Sequence, residues 1–417
     1  MYPKILIFSS EDILTTNSSG SFTIRSFLGN YPQENIYQII CSDTNSFTHP
    51  NVDNIYYLGG DDIVMGKFIR RRERNKNKQV IIATTDIVQN KKSKKKIKER
   101  IKPLLIDIYN ILPYKIPIKL KRIINKFKPQ LIYTANSSPR VLFLMEQIAK
   151  EYKIPYIPHF FDDWPNVAFQ NSSLLQFYFN RKLKSLIHQS PCCLCISEMM
   201  CEEYKKRYSY TRFHALMHSV ESDFHEMGKK TKKHYLYAGS LYLGRYETLL
   251  DLCKIIKLYN IRNIEIYVYT KDDAWNELKS IFKEFSFLKY GGFVTQENLI
   301  KKIGIADGLL LLESFDENLL NYTRLSLSTK IPEYLSSGKP IFAAGHSEQG
   351  SIKYLNEYNA AYVTTDKNNI ESAFIDFIEE NEIEKKLYNA KKLFLQKHEI
   401  KKQQELFLSL LNLTIKP

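Results

Sequence analysis

The sequence predicts an α/β fold in which two Rossmann-like domains face one another across a cleft. The chain has 417 residues, which is too long for one ordinary core, and 44% of them are hydrophobic, which is enough for two. In both halves, short apolar runs of strand length alternate with helix-like stretches. Strands that are apolar along their whole length are typical of parallel sheets with helices on both faces, so two successive α/β domains are the simplest interpretation.

Each predicted domain contains five strand-like runs. In the N-terminal domain, residues 1–220, the runs are 4–9, 36–41, 129–135, 154–161 and 192–197. The polar segment 221–234 is the predicted linker to the C-terminal domain, residues 221–390, whose runs are 235–240, 264–269, 309–314, 340–345 and 360–365. A helical segment, 391–417, ends the chain. Ligands of such folds bind at the carboxyl ends of the strands, so the interdomain cleft is the predicted site.

Positive charge is concentrated in one segment of the N-terminal domain. The net charge is +15, but residues 66–128 contain 21 lysines and arginines against 4 acidic residues, which leaves −2 for the rest of the chain. This basic segment interrupts the alternation of strands and helices, and Pro103, Pro113 and Pro117 predict short interfacial helices there rather than one long helix. A negatively charged partner is expected: anionic lipid, nucleic acid or an acidic polymer.

Neither the start of the chain nor its cysteines suggest export. The first ten residues lead straight into a strand-like run without the pattern of a signal peptide, and no run approaches the roughly 18 apolar residues of a membrane span. Four of the six cysteines fall in 192–201, where no second Cys or His pair completes a metal site, so we expect them to be reduced and buried. A cytoplasmic protein is therefore expected.

One stretch of the C-terminal domain, STKIPEYLSSGKP, places a carboxylate between a polar cluster and a helix stop. Ser328 or Thr329 is the predicted N-cap of a short helix that ends at Gly338. With Lys330 beside it, the positive N-terminus of this helix would favour a diphosphate, and Glu333 one turn later would accept hydrogen bonds from ribose hydroxyls. The alternative is a capped connecting helix whose first turn Glu333 supports.

A second motif, YAGSLYLGRYETLL, begins with the first strand of the C-terminal domain. Gly239 and Ser240 form a predicted tight turn, where glycine lets a phosphate approach the backbone. Arg245 opens the next helix and can supply a fixed positive charge to that phosphate. A Gly-Ser turn alone is a weak signal, but together with the first motif it predicts a nucleoside diphosphate site.

These two motifs, together with CISEMMCEEYKKRYS before them, resemble the GT-B-fold glycosyltransferases of the group 1 type. Members of that family use nucleotide sugars and often build bacterial surface polysaccharides. The resemblance spans most of the chain, most specifically 192–208, 235–250 and 308–355, and leaves 60–128 uncovered. It implies a donor site in the C-terminal domain, an acceptor site in the N-terminal domain, a final helix that crosses back to the N-terminal domain, and retention of anomeric configuration.

The resemblance also implies roles for individual residues. Arg245 matches the phosphate-binding lysine of the family, and Glu333 matches the second glutamate of the E-x7-E motif, which binds ribose. The first glutamate falls at Leu325, which cannot do its work, and Ser240 stands where the family often has an arginine. The possible substitutes lie at the end of the preceding strand: Glu313, Ser314 and Glu317.

The acceptor side is predicted in the stretch PHFFDDWPN, at the end of a strand. The family often carries a histidine or an aspartate here, so His159, Asp162 and Asp163 are the predicted catalytic residues. A carboxylate at this place could orient or deprotonate an acceptor hydroxyl, and Trp164 could offer its face to a sugar ring. In the alternative, structural interpretation, His159 caps the strand, the aspartates start a helix and Trp164 belongs to the core.

A loop after the first strand completes the predicted site. Asn17 and Gly20 are predicted to touch the acceptor or the donor phosphate, with a plain connecting turn as the alternative. No Asp-x-Asp sequence occurs, which disfavours metal-dependent GT-A chemistry. We therefore expect no metal and no cofactor apart from the donor substrate itself, with Arg245 and a helix N-terminus stabilising the leaving diphosphate.

The resulting hypothesis is a metal-independent glycosyltransferase that moves a sugar from a nucleotide diphosphate to a saccharide acceptor. The acceptor is expected to be lipid-linked, with residues 66–128 binding the anionic inner face of the cell membrane. Nucleic acid is the weaker partner, because no aromatic-interleaved or zinc-finger pattern occurs, and a merely solvated basic face is the third interpretation. Two other functions stay open: a non-hydrolysing nucleotide-sugar epimerase, and a non-catalytic GT-B-like subunit, for which Leu325 and Ser240 are the arguments.

Overall fold

A computed structural model describes residues 2–13, 16, 18–42, 54–64, 97–135, 138–226, 228 and 231–415 of the chain. Within these ranges the protein consists of two α/β domains, each with one parallel sheet between helices. The predicted α/β architecture is thereby confirmed. The first part of the basic segment, up to residue 96, and Asn17 lie outside the described residues.

Seven strands form the sheet of the N-terminal domain. They are β1 (Ile5–Ser9), β2 (Ile36–Cys41), β3 (Ile55–Leu58), β4 (Leu131–Ala135), β5 (Tyr156–Phe160), β6 (Cys193–Cys195) and β7 (Phe213–Ala215). Their order is β3-β2-β1-β4-β5-β6-β7, and every neighbouring pair is parallel. All residues of β1, β4 and β5 are buried, as expected for central strands covered on both faces.

The helices of the N-terminal domain lie on both faces of this sheet. They are α1 (Ser19–Leu28), α2 (Ile97–Ile111), α3 (Ile118–Phe127), α4 (Pro139–Tyr152), α5 (Trp164–Val167), α6 (Ser173–Gln189) and α7 (Glu198–Tyr208). Four of them follow a serine whose side chain accepts a hydrogen bond from the backbone N–H three residues later: Ser18, Ser138, Ser172 and Ser197. Each such cap contributes about 1 kcal/mol and fixes where its helix begins.

The C-terminal domain repeats the plan with six strands. These are β8 (Lys233–Ala238), β9 (Ile264–Tyr269), β10 (Leu288–Tyr290), β11 (Gly308–Leu312), β12 (Ile341–Ala344) and β13 (Tyr362–Thr364), in the order β10-β9-β8-β11-β12-β13. Its helices are α8 (Arg245–Leu258), α9 (Asp272–Leu278), α10 (Gln296–Ile305), α11 (Leu320–Thr323), α12 (Lys330–Ser336), α13 (Gly350–Glu357), α14 (Ile370–Ile378) and α15 (Ile383–Lys397).

The chain crosses between the domains at two adjacent places. Val220 N–H donates to His398 O at 3.1 Å, and Ile400 N–H donates to Val220 O at 3.2 Å, so the linker and the return crossing run side by side. After the return crossing, α16 (Ile400–Ile415) packs on α1 of the N-terminal domain. Phe407 of α16 is buried in the N-terminal core.

The described part of the basic segment differs from the prediction of short helices. Pro103 does not end the helix: it lies inside α2, which is 15 residues long. The C-terminal end of α2 is held by Arg140 on α4, whose guanidinium donates to the carbonyls of Tyr109 and Leu112 at 2.6 and 2.9 Å. Pro113 and Pro117 do separate α2 from α3.

All six cysteines are buried free thiols. Among the described residues, no group of His, Cys, Asp and Glu has the arrangement to hold a metal ion. The described helices are also too short or too polar for any of them to cross a bilayer.

Candidate active site

A cleft of about 380 Å³ lies between the two domains at the carboxyl ends of their strands. The N-terminal wall begins after β1 and β5, and the C-terminal wall after β8 and β11. Nine of the predicted site residues line this cleft: Gly20, Asp162, Gly239, Ser240, Arg245, Glu313, Ser328, Thr329 and Lys330. The predicted placement of these nine around one cleft follows from the rule that loops after parallel strands meet at one sheet edge.

Arg245 and Glu313 form the charged centre of the C-terminal wall. Arg245 donates from Nε to Glu313 Oε2 at 2.7 Å and from Nη2 to Oε1 at 3.2 Å, a two-pronged ion pair. The side chains are 21% and 8% exposed. Gly244 before the arginine has φ of +73°, and a Cβ there would lie 2.5 Å from Ser314 Oγ, so only glycine allows the chain to enter α8 here.

Glu313 is held at several atoms. Its carbonyl accepts from Thr248 Oγ1 at 2.7 Å, and Oε2 accepts from Gln349 Nε2 at 3.2 Å. Gln349 Nε2 also lies 3.1 Å from Thr323 Oγ1, so the carboxylate is fixed against α8, α11 and the start of α13. An anion that enters the cleft therefore meets an arginine of fixed orientation.

The polar cluster predicted before α12 faces the cleft. The helix is short, as expected, and Thr329 stands at the N-cap position without a capping hydrogen bond from its side chain. Ser328 Oγ accepts from Lys330 N–H at 3.3 Å, and Ser328 N–H donates to Ser351 Oγ at 2.9 Å. Lys330, with a side chain 26% exposed, adds a second cation to the wall that holds Arg245.

Glu333 lies behind this cluster rather than in the cleft lining. Its side chain is 3% exposed. Oε2 accepts from Lys330 Nζ at 3.1 Å and Oε1 from Gln296 Nε2 at 3.0 Å. A carboxylate has about four lone-pair sites, so these two bonds leave capacity for a ligand hydroxyl.

Asp162 is the predicted catalytic residue that lines the N-terminal wall. Its side chain is exposed to the solvent of the cleft, and Oδ1 accepts from Ser326 Oγ of the other domain at 2.7 Å. The protein atoms crowded around it raise the pKa of Asp162, the hydrogen bond from Ser326 lowers it, and the charge of Asp163 raises it; the net shift is upward. An acceptor hydroxyl in the cleft would meet this carboxylate.

The other residues predicted at the end of β5 are turned into the N-terminal domain. Asp163 is 6% exposed and binds Arg207 with both oxygens, at 2.7 and 2.9 Å. His159 is buried against Tyr133, whose hydroxyl lies 2.8 Å from Nδ1, and burial lowers its pKa to about 3. Trp164 packs on aromatic rings of the same domain. None of the three lines the cleft.

Gly20 lines the cleft from the first turn of α1. The loop before it is braced by Glu11, which accepts from the hydroxyls of Ser18 and Ser21, and by Arg25, which donates to the carbonyls of Ile13 and Thr16. Asn17, the other predicted contact of this loop, cannot be placed because it lies outside the described residues.

Among the lining residues that were not predicted from the sequence, Phe161, Ser326 and Gln349 bear on the arrangement of the site. Phe161 follows β5 and so was within reach of the strand-end rule. Ser326 and Gln349 act through partners more than 30 residues away along the chain, and no local pattern signals such contacts. Leu325, where the resemblance places a glutamate, is 2% exposed and packs in the core of the N-terminal domain.

Solved structures of the same fold cover almost the whole chain. Sucrose-phosphate synthase from Thermosynechococcus elongatus aligns over 98% of both chains with a TM-score of 0.63 and 10% identity. Anabaena Alr3699/HepE in complex with UDP-glucose aligns over 98% of this chain and 99% of its own, with a TM-score of 0.58 and 11% identity. WaaG, a glycosyltransferase involved in lipopolysaccharide biosynthesis, aligns over 97% and 99%, with a TM-score of 0.54 and 8% identity.

These likenesses show that the chain has the GT-B fold, in which both domains are matched together. No family model matches the chain, and no curated protein matches it in sequence. At 8 to 11% identity the likeness shows the fold alone, because one fold carries many activities. Function has to be argued from the cleft.

Proposed function

We propose that the protein is a glycosyltransferase that moves a sugar from a nucleotide diphosphate sugar to a saccharide acceptor. One observation carries the proposal: a single interdomain cleft has two cations, Arg245 and Lys330, on one wall and a carboxylate, Asp162, on the other. The cations suit a diphosphate leaving group, and the carboxylate suits an acceptor hydroxyl. The complexes of a structural neighbour with UDP-glucose and with UDP and glucose support the same class of donor.

The diphosphate is assigned to the C-terminal wall. Arg245 and Lys330 supply positive charge, and the hydroxyls of Ser240, Ser328 and Thr329 offer hydrogen bonds to phosphate oxygens. Glu333, which orients Lys330, is proposed to take the ribose hydroxyls with its remaining lone pairs. With two fixed cations at the leaving group, the proposed reaction is metal-independent.

The transfer is assigned to the space between the walls. The acceptor oxygen forms a bond to the anomeric carbon, the bond from that carbon to the diphosphate oxygen breaks, and the electron pair leaves on the diphosphate. The proton of the acceptor hydroxyl passes to Asp162, whose raised pKa suits a base. A single displacement from the face opposite the diphosphate would invert the anomeric carbon. The proposed retention therefore requires the acceptor oxygen to attack from the face that the diphosphate leaves, and the anomer of the product, read by NMR, tests it.

A thermal-shift screen against UDP, GDP, CMP and dTDP tests donor binding. We expect one nucleotide to raise the melting temperature of the wild type, because a ligand that binds only the folded state stabilises it. Glu333→Ala should lose that shift. Glu297→Ala is the matched control, since this glutamate is 81% exposed on α10 and away from the cleft, and it should keep the shift.

The outcomes separate the three candidate functions. A shift that Glu333→Ala abolishes supports a donor site, and no shift with any nucleotide favours a non-catalytic GT-B-like subunit. Interconversion of a sugar nucleotide without acceptor, seen by NMR, would favour an epimerase.

We further propose that the acceptor is lipid-linked and that the protein binds the anionic inner face of the cell membrane, in surface-polysaccharide biosynthesis. Six large apolar side chains are exposed on two helices of the N-terminal domain: Leu104, Leu105 and Ile108 on α2, and Leu174, Phe177 and Tyr178 on α6. Asp107 on α2 forms a hydrogen bond with Asn171, two residues before the start of α6. The three α2 residues belong to the basic segment 66–128 in the sequence, and apolar groups in a lysine-rich segment suit a lipid interface.

Co-sedimentation with vesicles tests the membrane proposal. Wild type should pellet with phosphatidylglycerol-containing vesicles and not with purely zwitterionic ones, and Leu105→Ser/Phe177→Ser should weaken that binding. Leu258→Ser on α8 is the matched control, because Leu258 is 73% exposed on the other domain. Binding to nucleic acid instead of vesicles, or to neither, would contradict the proposal.

A further inference from the structure

Three successive residues of the C-terminal domain contact the N-terminal domain beside the cleft. Arg324 Nη2 lies 3.4 Å from Glu203 Oε1 on α7, Leu325 is buried in the N-terminal core, and Ser326 Oγ donates to Asp162 Oδ1. We call residues 324–326 the clasp.

The backbone of the clasp is fixed from both sides. Leu325 O accepts from Ser197 Oγ of the N-terminal domain at 3.2 Å. On the other side, Gly350 at the start of α13 approaches so closely that a Cβ there would lie 2.4 Å from Ser326 O. Because the leucine side chain and the carbonyl are both anchored, Arg324 and Ser326 on either side of it have fixed positions.

The clasp is connected by hydrogen bonds and ion pairs to both aspartates after β5. Ser326 contacts Asp162 directly. Arg324 pairs with Glu203, whose Oε1 lies 3.2 Å from Arg207 Nη2, and Arg207 holds Asp163 with two bonds. The clasp lies just before the donor-wall residues 328–330, so the same segment serves both walls of the cleft.

We propose that Ser326 is a positioning residue, which holds the Asp162 carboxylate toward the acceptor hydroxyl and completes the general base only while the two domains are docked. The inference rests on the proposed function, because it takes Asp162 as the group that receives the acceptor's proton. It assigns Ser326 no contact with the reacting atoms.

The electrostatic surroundings of Asp162 give the proposal a specific signature. The hydrogen bond from Ser326 lowers the pKa of Asp162 against the upward effects of crowding and of Asp163. The charge that shifts the pKa of Asp162 is that of Asp163. The charged groups on the neighbouring elements, which are α7, the clasp and the donor wall, are Glu203, Arg207, Arg324, Arg245, Glu313 and Lys330. Ser326→Ala leaves these groups in place, so its effect on the titration of Asp162 reports the hydrogen bond alone.

The first experiment measures the pH dependence of nucleoside diphosphate release from UDP-, GDP- and dTDP-glucose with water as acceptor. Ser326→Ala should lower kcat about tenfold with little change in donor KM, and should move the acidic limb of the profile to higher pH. Ser326→Thr, which keeps the hydroxyl, should restore both. Ser197→Ala, which removes a different interdomain hydrogen bond of the clasp, should leave the acidic limb where it is.

The second experiment needs no turnover. In protein labelled with carbon-13 at aspartate carboxyl groups, the Asp162 signal is assigned as the one lost in Asp162→Asn, and its titration is followed by NMR. Ser326→Ala should move that titration to higher pH, and Ser326→Thr should not.

The two experiments separate failure of the inference from failure of the proposed function. An unmoved Asp162 titration, or an acidic limb identical in Ser326→Ala and wild type, overturns the positioning role. Absence of release from all three donors by wild type counts against the proposed function, while a moved Asp162 titration still supports the contact that holds the carboxylate.

Discussion

The two walls of the cleft are built in different ways. The C-terminal wall is a cluster: its cations are paired with carboxylates of their own domain, Arg245 with Glu313 and Lys330 with Glu333. The N-terminal wall offers a single carboxylate, Asp162, whose fixed contact comes from the opposite domain. The proposed donor side is therefore organised within one domain, whereas the proposed acceptor side depends on how the domains meet.

Side-chain direction explains why one wall carries many polar groups and the other few. The chain bends directly after β5, so only the residues at the bend, Phe161 and Asp162, line the cleft. His159 within the strand and Asp163 after the bend are buried in the domain. On the C-terminal wall the polar groups come from several segments, and each segment contributes the members that face inward.

The largest effect is expected from Arg245→Met, which breaks the centre of the C-terminal wall. The change removes the charge that faces the leaving diphosphate, so the rate of transfer should fall by about 10²- to 10³-fold. It also leaves Glu313 buried without its cation, which should cost about 3 kcal/mol of unfolding free energy. Steady-state kinetics and urea unfolding measure the two effects.

The double variant Arg245→Met/Glu313→Gln is the control for this prediction. Removing the second charge relieves the unpaired carboxylate, so stability should recover while activity stays low. Recovery of activity together with stability would mean that Arg245 serves the fold and not the donor.

The next largest effect concerns the two adjacent aspartates after β5. Asp163→Asn weakens three hydrogen bonds, two from Arg207 and one from Tyr204, and should cost about 2 kcal/mol of unfolding free energy. Asp162→Asn should change stability by less than about 0.5 kcal/mol, because the asparagine oxygen can still accept the hydrogen bond from Ser326, and should abolish most of the activity. A reversed pattern would show that Asp163 serves the reaction and Asp162 the fold.

Most of the fold follows from local sequence, and the exceptions share a position. All ten predicted strands are present, and the three strands that were not predicted, β3, β7 and β10, lie at sheet edges. Each has only three or four residues and one neighbour, so it does not need the continuous apolar run that marks a strand covered on both faces. Central strands can be predicted from the sequence because burial on both faces requires a continuous run of apolar residues.

The site was less predictable than the fold for a different reason. The donor-wall residues lie in short motifs whose neighbours in sequence are also neighbours in space, and nine predicted residues do line the cleft. The clasp contacts join residues more than 120 positions apart. In the sequence Leu325 is only the place of a missing glutamate, whereas in the structure it packs in the core of the other domain. A single sequence does not show which residues far apart along the chain are in contact.

Acid should destabilise the protein through buried histidines of the N-terminal domain and of the interdomain crossing. Burial lowers the pKa of His159 and His218 to about 3 and that of His398 to about 4. Below about pH 6.5 these histidines are protonated in the unfolded chain but stay neutral in the folded protein. The free energy of unfolding therefore decreases as the pH falls from about 6.5 toward 4. Each histidine contributes a slope of about 1.4 kcal/mol per pH unit.

Urea unfolding between pH 7.5 and 4.5 measures that slope. His159→Gln, which cannot titrate in this range and can still bond to the Tyr133 hydroxyl, should unfold with a shallower pH dependence than wild type. Equal slopes in the two proteins would mean that His159 is not kept neutral by its burial.

The smallest expected effect distinguishes two aromatic residues near the end of β5. Trp164 packs on Phe160 and Phe179 inside the N-terminal domain, and its Nε1 is buried without a hydrogen-bond partner among the described residues. Trp164→Phe loses packing area but also removes an unsatisfied N–H, so stability should fall by about 1 kcal/mol or less. Because the ring does not line the cleft, the KM for the acceptor should not change.

Phe161, three positions earlier, does line the cleft, so Phe161→Leu should raise the acceptor KM while Trp164→Phe leaves it unchanged. The pair tests whether direction, rather than residue type, decides which aromatic face meets a sugar. If Trp164→Phe raised the acceptor KM instead, the tryptophan side chain would have to turn into the cleft when the acceptor binds. The N-terminal wall would then take its final form only with ligand bound, whereas the C-terminal wall has its side chains in place beforehand.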